Sequence, residues 1–159
     1  MKVIVGVSDA RVSAQPEDAL LTFSLGSCIG VALYDIRAGI GGLLHFQLPS
    51  SATSDPQRAR EHPLMYADTG LKWLVDEMIR NGADRRRLKV RMAGGAKMFN
   101  DEGLFDIGRR NHAAVRKIMW QNGMFIDAED VGGTFPRNMQ LNIADGTLLI
   151  KRNEQTIHL

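Results

Sequence analysis

Cysteine is almost absent from this chain: one, Cys28, stands among 159 residues. No internal disulfide can form, and a lone thiol suits a reducing cytosol better than an oxidising compartment. Long apolar runs are missing as well. Nowhere do eighteen apolar residues follow one another, so no transmembrane helix is expected. The first apolar run, Val3 to Val7 behind Lys2, is too brief for a signal-peptide core. A cytoplasmic protein without membrane insertion is the expectation. Charge of one sign is also not in excess, with 20 basic residues against 18 acidic ones. The densest basic stretch, Arg85-Arg86-Arg87 with Lys89 and Arg91, has no aromatic or Gly-rich element beside it. It reads as a solvated loop entering a strand with basic outward positions, and no nucleic-acid partner is expected. No His, Cys and carboxylate spacing matches a zinc site, and neither metal nor organic cofactor is expected.

What is present fits one domain over residues 1–159, long enough to bury roughly two-thirds of the surface of the unfolded chain. Residues 2–7 and 20–25 read as strands separated by a polar loop with Pro16. Two largely apolar runs, 28–34 and 40–48, flank the turn-like Asp35–Gly39 and predict a hairpin. Pro49 ends it, and 50–62 reads as a polar surface loop. Behind Pro63, Leu64, Ala67, Leu71, Leu74, Val75 and Met78 recur at helical spacing up to Asn81-Gly82. A strand at 88–92, a helix over 108–121, an extended segment at 125–129 and a hairpin of 139–143 with 147–151 complete the chain. The fold class is α/β: a layered sandwich of mostly antiparallel or mixed sheet with helices packed outside.

Gly26-Ser27-Cys28 places the thiol where a flexible turn becomes a strand. By itself a cysteine ahead of an apolar strand reads as a small buried hydrophobe. The turn, however, can leave backbone N–H groups without ladder partners, and such donors are what a developing oxyanion needs. Gly26 and Ser27 are the candidates for that region. A thiol also needs a base within reach. Of four histidines, His62 lies in a polar loop, His158 at the chain end and His112 near a helix start, all expected at the surface. His45 lies inside an apolar strand. A tight hairpin register pairs residues whose numbers sum to about 73, which sets Cys28 across from His45. Thr22, on the preceding strand, is either an orienting hydroxyl for the imidazole or simply a β-favouring residue. Ala93-Gly94-Gly95-Ala96-Lys97 lacks the full phosphate-loop spacing and reads as a tight turn or a close backbone approach.

Ser24-Leu25-Gly26-Ser27-Cys28, then Gly42-Leu43-Leu44-His45 running to Leu48-Pro49, resembles the active-site region of the CheD family of chemoreceptor glutamine deamidases. The likeness continues through Tyr66-Ala67-Asp68, Ala93 to Phe99, Asp106 to Asn111, Glu129 to Gly133 and the Asn142–Gly146 turn, which is nearly the whole chain. The resemblance implies a cysteine-hydrolase fold similar to certain bacterial toxin deamidases, with Cys28 as nucleophile, His45 as base and Thr22 as the third, hydroxyl-bearing residue. It implies cytoplasmic helices of chemotaxis receptors as substrate and a CheC-type phosphatase as partner. Conversion of glutamine side chains to glutamate through a thioester follows, with glutamyl methyl esters open to the same machinery. The alternative is a regulatory binding module for the phosphatase; a peptidase has no subsite to mark it, and a scaffold with a structural Cys28 is a further reading.

Overall fold

Two strands buried along their whole length, β4 (Ile29–Asp35) and β5 (Ile40–Phe46), form the centre of the fold. Continuous apolar runs of this kind belong to strands covered on both faces. The computed structural model describes residues 1–98 and 106–159. Before the central pair come β1 (Lys2–Ile4), β2 (Asp9–Ser13) and β3 (Ala19–Leu25). After it come the short helix α1 (Pro56–Glu61), α2 (Ala67–Arg80), β6 (Lys89–Gly94), α3 (Ile107–Gln121), and β7 (Ala128–Val131), β8 (Arg137–Asn142), β9 (Leu148–Arg152) and β10 (Gln155–His158).

The strands form two five-stranded sheets, ordered β1-β3-β8-β9-β10 and β2-β5-β4-β6-β7. Among the described strand pairs only β1–β3 and β6–β7 are parallel, so both sheets are mixed and mainly antiparallel, as expected. The two faces of β4 and β5 serve different cores. Ile29, Val31 and Leu33 of β4 and Leu44 and Phe46 of β5 pack with Leu71, Leu74 and Met78 of α2 and Val115 and Met119 of α3. Ala32 and Leu43 pack instead with Leu20 and Leu25 of β3 and Met139 and Leu141 of β8. The helices therefore cover one outer face, and the second core lies between the sheets. Strand alternation assigns every residue to one side or the other. His45 shares the inter-sheet face with Leu43, and Gly30 shares it with Ala32. At Gly30 a Cβ would stand 2.3 Å from Met139 Sδ, so the missing side chain lets β8 come close.

Several expectations need correction. The hairpin exists, but Gly30, not Cys28, stands across from His45, and the paired numbers sum to 75 rather than 73. The cause is the turn: Asp35 pairs with Ile40, and the Asp35 carboxylate accepts the amides of Arg37 and Ala38, holding a four-residue loop. A shift of two leaves the face unchanged, because strand side chains repeat every two residues. The loop at 50–62 contains α1, capped by the Asp55 side chain on the Arg58 amide. Polar edge strands β2 and β10 occupy segments read as loop or frayed end. Arg91 does not point outward. It is 2% exposed and donates to the carbonyls of Gly146 and Leu159 from the inter-sheet side. His112 is half-buried beside Glu129 at 3.0 Å, whereas His62 and His158 are exposed as expected. Phe99, the end of the motif that starts at Ala93, lies outside the described residues.

Candidate active site

Thr22 and His45 meet across the space between the two sheets. Thr22 Oγ1 lies 2.7 Å from His45 Nδ1 and 2.8 Å from the Val5 carbonyl oxygen. A hydroxyl has one proton, and a carbonyl can only accept. Thr22 therefore donates to Val5 and accepts from Nδ1–H, which fixes the imidazole as the Nδ1-protonated tautomer. The lone pair is left on Nε2. That atom is buried and has no hydrogen-bond partner among the described residues, the Cys28 thiol included. Burial lowers the His45 pKa to about 4, so the ring is neutral at pH 7 and can serve as a base.

Cys28 sits at the mouth of the same face, half-buried at the edge of the inter-sheet core. It precedes β4 and lies two residues before Gly30, the register partner of His45. Alternation thus turns sulfur and imidazole toward the same side. Burial raises the thiol pKa, against a smaller lowering by its own backbone N–H. The resting pair is neutral thiol and neutral imidazole. Three surface grooves lie against α3, lined among others by Asp68, Met119, Trp120 and Phe125, and none of these three includes Cys28 or His45.

The turn that carries the thiol is held by its carbonyls. Gly26 O accepts from Ala96 N at 2.9 Å, and Cys28 O accepts from Gly95 N at 2.9 Å. Ser27 O accepts from the Asn111 side-chain amide at 2.9 Å. Gly26 N donates to Ser24 O at 3.0 Å. Among the described residues, the amides of Ser27 and Cys28 donate to no other residue. On the preceding strand an extra residue between Thr22 and Leu25 makes a bulge against Met139 and Arg137, with Ser24 at φ 58°. Such bulges re-aim a strand next to a site. Beneath the turn, Gly94 has φ 117°, and a Cβ there would stand 2.2 Å from Cys28 O. The expected close backbone approach at Gly94-Gly95 is this one. Buried Arg137 holds it from below, donating to Gly94 O and Gly132 O while paired with Asp130 at 2.9 Å.

Sequence reasoning singled out Thr22, Cys28 and His45, which share one face, and Gly26 and Ser27, which form the turn. It gave no role to Asn111 or Arg137. A signal for Asn111 was present: it occupies the apolar stripe of α3, four residues before Val115 and eight before Met119, where a helix-disfavouring amide needs a reason. Among the described residues no cluster of three or more metal-ligating side chains occurs, and no helix is long and apolar enough to cross a membrane.

Comparison with known proteins gives the family. A protein 50% identical over 152 residues, spanning 96% of this chain and 89% of its own length, is the probable chemoreceptor glutamine deamidase CheD of Solibacter usitatus. Probable deamidases named CheD 1 of Syntrophus aciditrophicus and CheD 2 of Anaeromyxobacter dehalogenans are 42% and 41% identical, over 94% and 99% of this chain and 92% and 98% of their own lengths. The family profile described as CheD chemotactic sensory transduction matches residues 47–152. That match begins after Thr22, Cys28 and His45, whereas the relatives extend over nearly the full chain. With two-thirds of its residues under the profile and relatives that align almost end to end, the chain belongs to the CheD family.

Proposed function

We propose that this protein deamidates glutamine side chains on the cytoplasmic helices of chemotaxis receptors, with Cys28 as nucleophile, His45 as base and Thr22 as its orienting partner. The observation that carries the reading is the Thr22–His45 hydrogen bond. It leaves an unpartnered Nε2 lone pair on the face toward which Cys28 is turned. The names of the relatives supply the substrate class.

The reaction is acyl transfer. His45 Nε2 takes the thiol proton as sulfur attacks the side-chain amide carbon, so the base is needed during attack rather than to keep a resting thiolate. The tetrahedral oxyanion is held by the backbone N–H groups of Ser27 and Cys28, since the Gly26 amide is taken up by Ser24 O. Protonated His45 then gives its proton to the departing ammonia, and a thioester remains on Cys28. Water, deprotonated by neutral His45, hydrolyses it to glutamate and free thiol. A glutamyl methyl ester reaches the same acyl-enzyme with methanol as leaving group. No cofactor enters this scheme. Each turnover adds one negative charge to a receptor helix, and like charges on neighbouring helix positions repel. A cytoplasmic location and a CheC-type phosphatase as binding partner complete the reading.

The test is ammonia release and amide-to-acid conversion in purified receptor cytoplasmic fragments, mapped by mass spectrometry. Wild type converts specific glutamines and Cys28→Ala converts none while keeping the wild-type circular dichroism. Equal conversion by the alanine variant removes the nucleophile assignment, and binding of a CheC-type phosphatase with no conversion by wild type makes the protein a binding module.

A further inference from the structure

Asn111 is wholly buried, yet it reaches two different parts of the site with one nitrogen. Its Nδ2 donates to Ser27 O and to Gln47 O, both at 2.9 Å. Its Oδ1 is buried and has no partner among the described residues. A buried carbonyl oxygen left unpaired is destabilising, because it has lost its water and gained nothing in return. An apolar side chain at this position of α3 avoids that cost, so the two donated bonds are what the asparagine provides.

One of them bears on chemistry. The Ser27 carbonyl and the Cys28 N–H belong to the same peptide group, which is planar and trans, so the two point in opposite directions. Holding Ser27 O on Asn111 therefore fixes where the Cys28 N–H points. The same logic applies one residue earlier, where Ala96 N holds Gly26 O and so fixes the Ser27 N–H. These are the two amides of the turn that donate to no other described residue. The Gln47 bond links this peptide to the chain two residues beyond His45.

We propose that Asn111 is a positioning residue: it locks the Ser27–Cys28 peptide so that the Cys28 amide stands ready as an oxyanion donor for acyl transfer at the Cys28 sulfur. The proposal rests on Cys28 being the nucleophile, as proposed above. It goes further in assigning a helix side chain the task of aiming a backbone dipole.

Two small reagents separate this role from a purely structural one and need no receptor. Acetylation of Cys28 by p-nitrophenyl acetate passes through a tetrahedral oxyanion as sulfur displaces p-nitrophenolate. Alkylation of Cys28 by iodoacetamide is displacement of iodide at a saturated carbon and forms no oxyanion. Asn111→Asp keeps the volume and removes the donor, and Asn111→Ser keeps a donor of shorter reach. Both rates are measured across pH on the full chain, with thermal unfolding as the fold control. Loss of an oxyanion donor costs on the order of a hundredfold or more in rate. Asn111→Asp is expected to slow acetylation roughly ten- to a hundredfold while alkylation and its pH profile stay within about twofold. Asn111→Ser should fall between Asn111→Asp and wild type. Unchanged acetylation, or an equal fall of both rates, overturns the proposal.

Should neither variant fold, the wild type decides. Butyraldehyde, which forms a hemithioacetal on the thiol, should shift the Cys28 amide proton downfield in nitrogen-edited NMR spectra. No shift overturns the assignment. A wild type that reacts with both reagents but leaves receptor glutamines intact rejects the receptor substrate and not the role of Asn111.

Discussion

Thr22 and His45 belong to different sheets, and the 2.7 Å contact between Oγ1 and Nδ1 joins them through the inter-sheet core. The Val5 carbonyl completes a relay in which the hydroxyl donates one way and accepts the other. No carboxylate is needed to choose the tautomer. Thr22→Val removes the hydroxyl at nearly constant volume and leaves Nδ1–H and Val5 O buried without it. We expect a stability loss of about 1–3 kcal/mol, read as a lower unfolding midpoint in urea. We also expect the deamidation kcat to fall about ten- to a hundredfold, with KM little changed, while Thr22→Ser restores most of it. Equal kcat in Thr22→Val and wild type would mean that the imidazole needs no orienting hydroxyl.

Burial lowers the His45 pKa to about 4, which has consequences for both rate and stability. The acid limb of kcat/KM should lie near pH 4 rather than at the ordinary histidine value of about 6.5. Because the folded pKa lies below the unfolded one, the unfolded chain binds the extra proton first. The stability associated with His45 is therefore complete above about pH 6.5 and is lost as pH falls toward 4, amounting to about 3 kcal/mol in all. Titration of the imidazole by NMR checks the first statement, and urea midpoints across pH 4 to 7 check the second. His45→Gln should flatten that part of the stability profile. A ring that titrates at its ordinary value overturns both expectations.

The sequence made the central hairpin legible as two continuous apolar runs around a turn, and α2 and α3 as apolar residues at helical spacing. It set Cys28 and His45 on one face because faces depend on parity, which a register error of two does not disturb. Thr22 it left open between an orienting hydroxyl and a β-favouring residue, and only the family resemblance gave it a role. What it could not show was set by longer-range contacts. The length of the 36–39 loop depends on which amides the Asp35 carboxylate captures. Strands β2 and β10 are edges, where polar residues are favoured and alternation is weak. Arg91 lies in a basic run and looks exposed until the carbonyls of Gly146 and Leu159, far along the chain, receive its guanidinium. Asn111 takes its meaning from the position of α3 behind Ser27, a contact between residues 84 apart in the chain.

Asp35 illustrates a second buried group with an opposite charge history. Burial raises its pKa, but the Arg87 guanidinium and the amides of Asp84 and Ala38 outweigh that and pull it down to about 2. Its carboxylate receives Arg87 at 3.0 and 2.9 Å and closes the far end of β4 from Cys28. Here too the folded pKa is the lower one. The contribution is present above the unfolded pKa of about 4 and lost as pH falls through 2, with a size of about 2 kcal/mol. Asp35→Ala leaves Arg87 with the Asp84 carboxylate alone at 3.4 Å and strands the Asp84 amide, and should cost about 2 kcal/mol at pH 7, seen as a lower urea midpoint. The variant's kcat, measured where it remains folded, should stay within about twofold, since the hairpin spans roughly 20 Å between Asp35 and the thiol turn. A tenfold fall in kcat would show that the turn geometry reaches the site.

Gly94 gives the sharpest test of the support beneath Cys28. At φ 117° its backbone is open to glycine alone, and a Cβ there would stand 2.2 Å from Cys28 O, a backbone atom with no side-chain freedom to retreat. Gly30 offers the contrast, because its Cβ would meet the end of the flexible Met139 side chain at a similar 2.3 Å. Gly94→Ala must therefore move either its own strand or the Cys28 carbonyl. Moving that carbonyl rotates the peptide after Cys28 and weakens the Gly95 N to Cys28 O bond. We expect Gly94→Ala to lose about 2–4 kcal/mol of stability and more than tenfold in both Cys28 acetylation and alkylation. That joint loss distinguishes displacement of the sulfur from the selective loss expected of Asn111→Asp. Wild-type rates of both reactions in Gly94→Ala would mean that the turn is held without the close approach of β6.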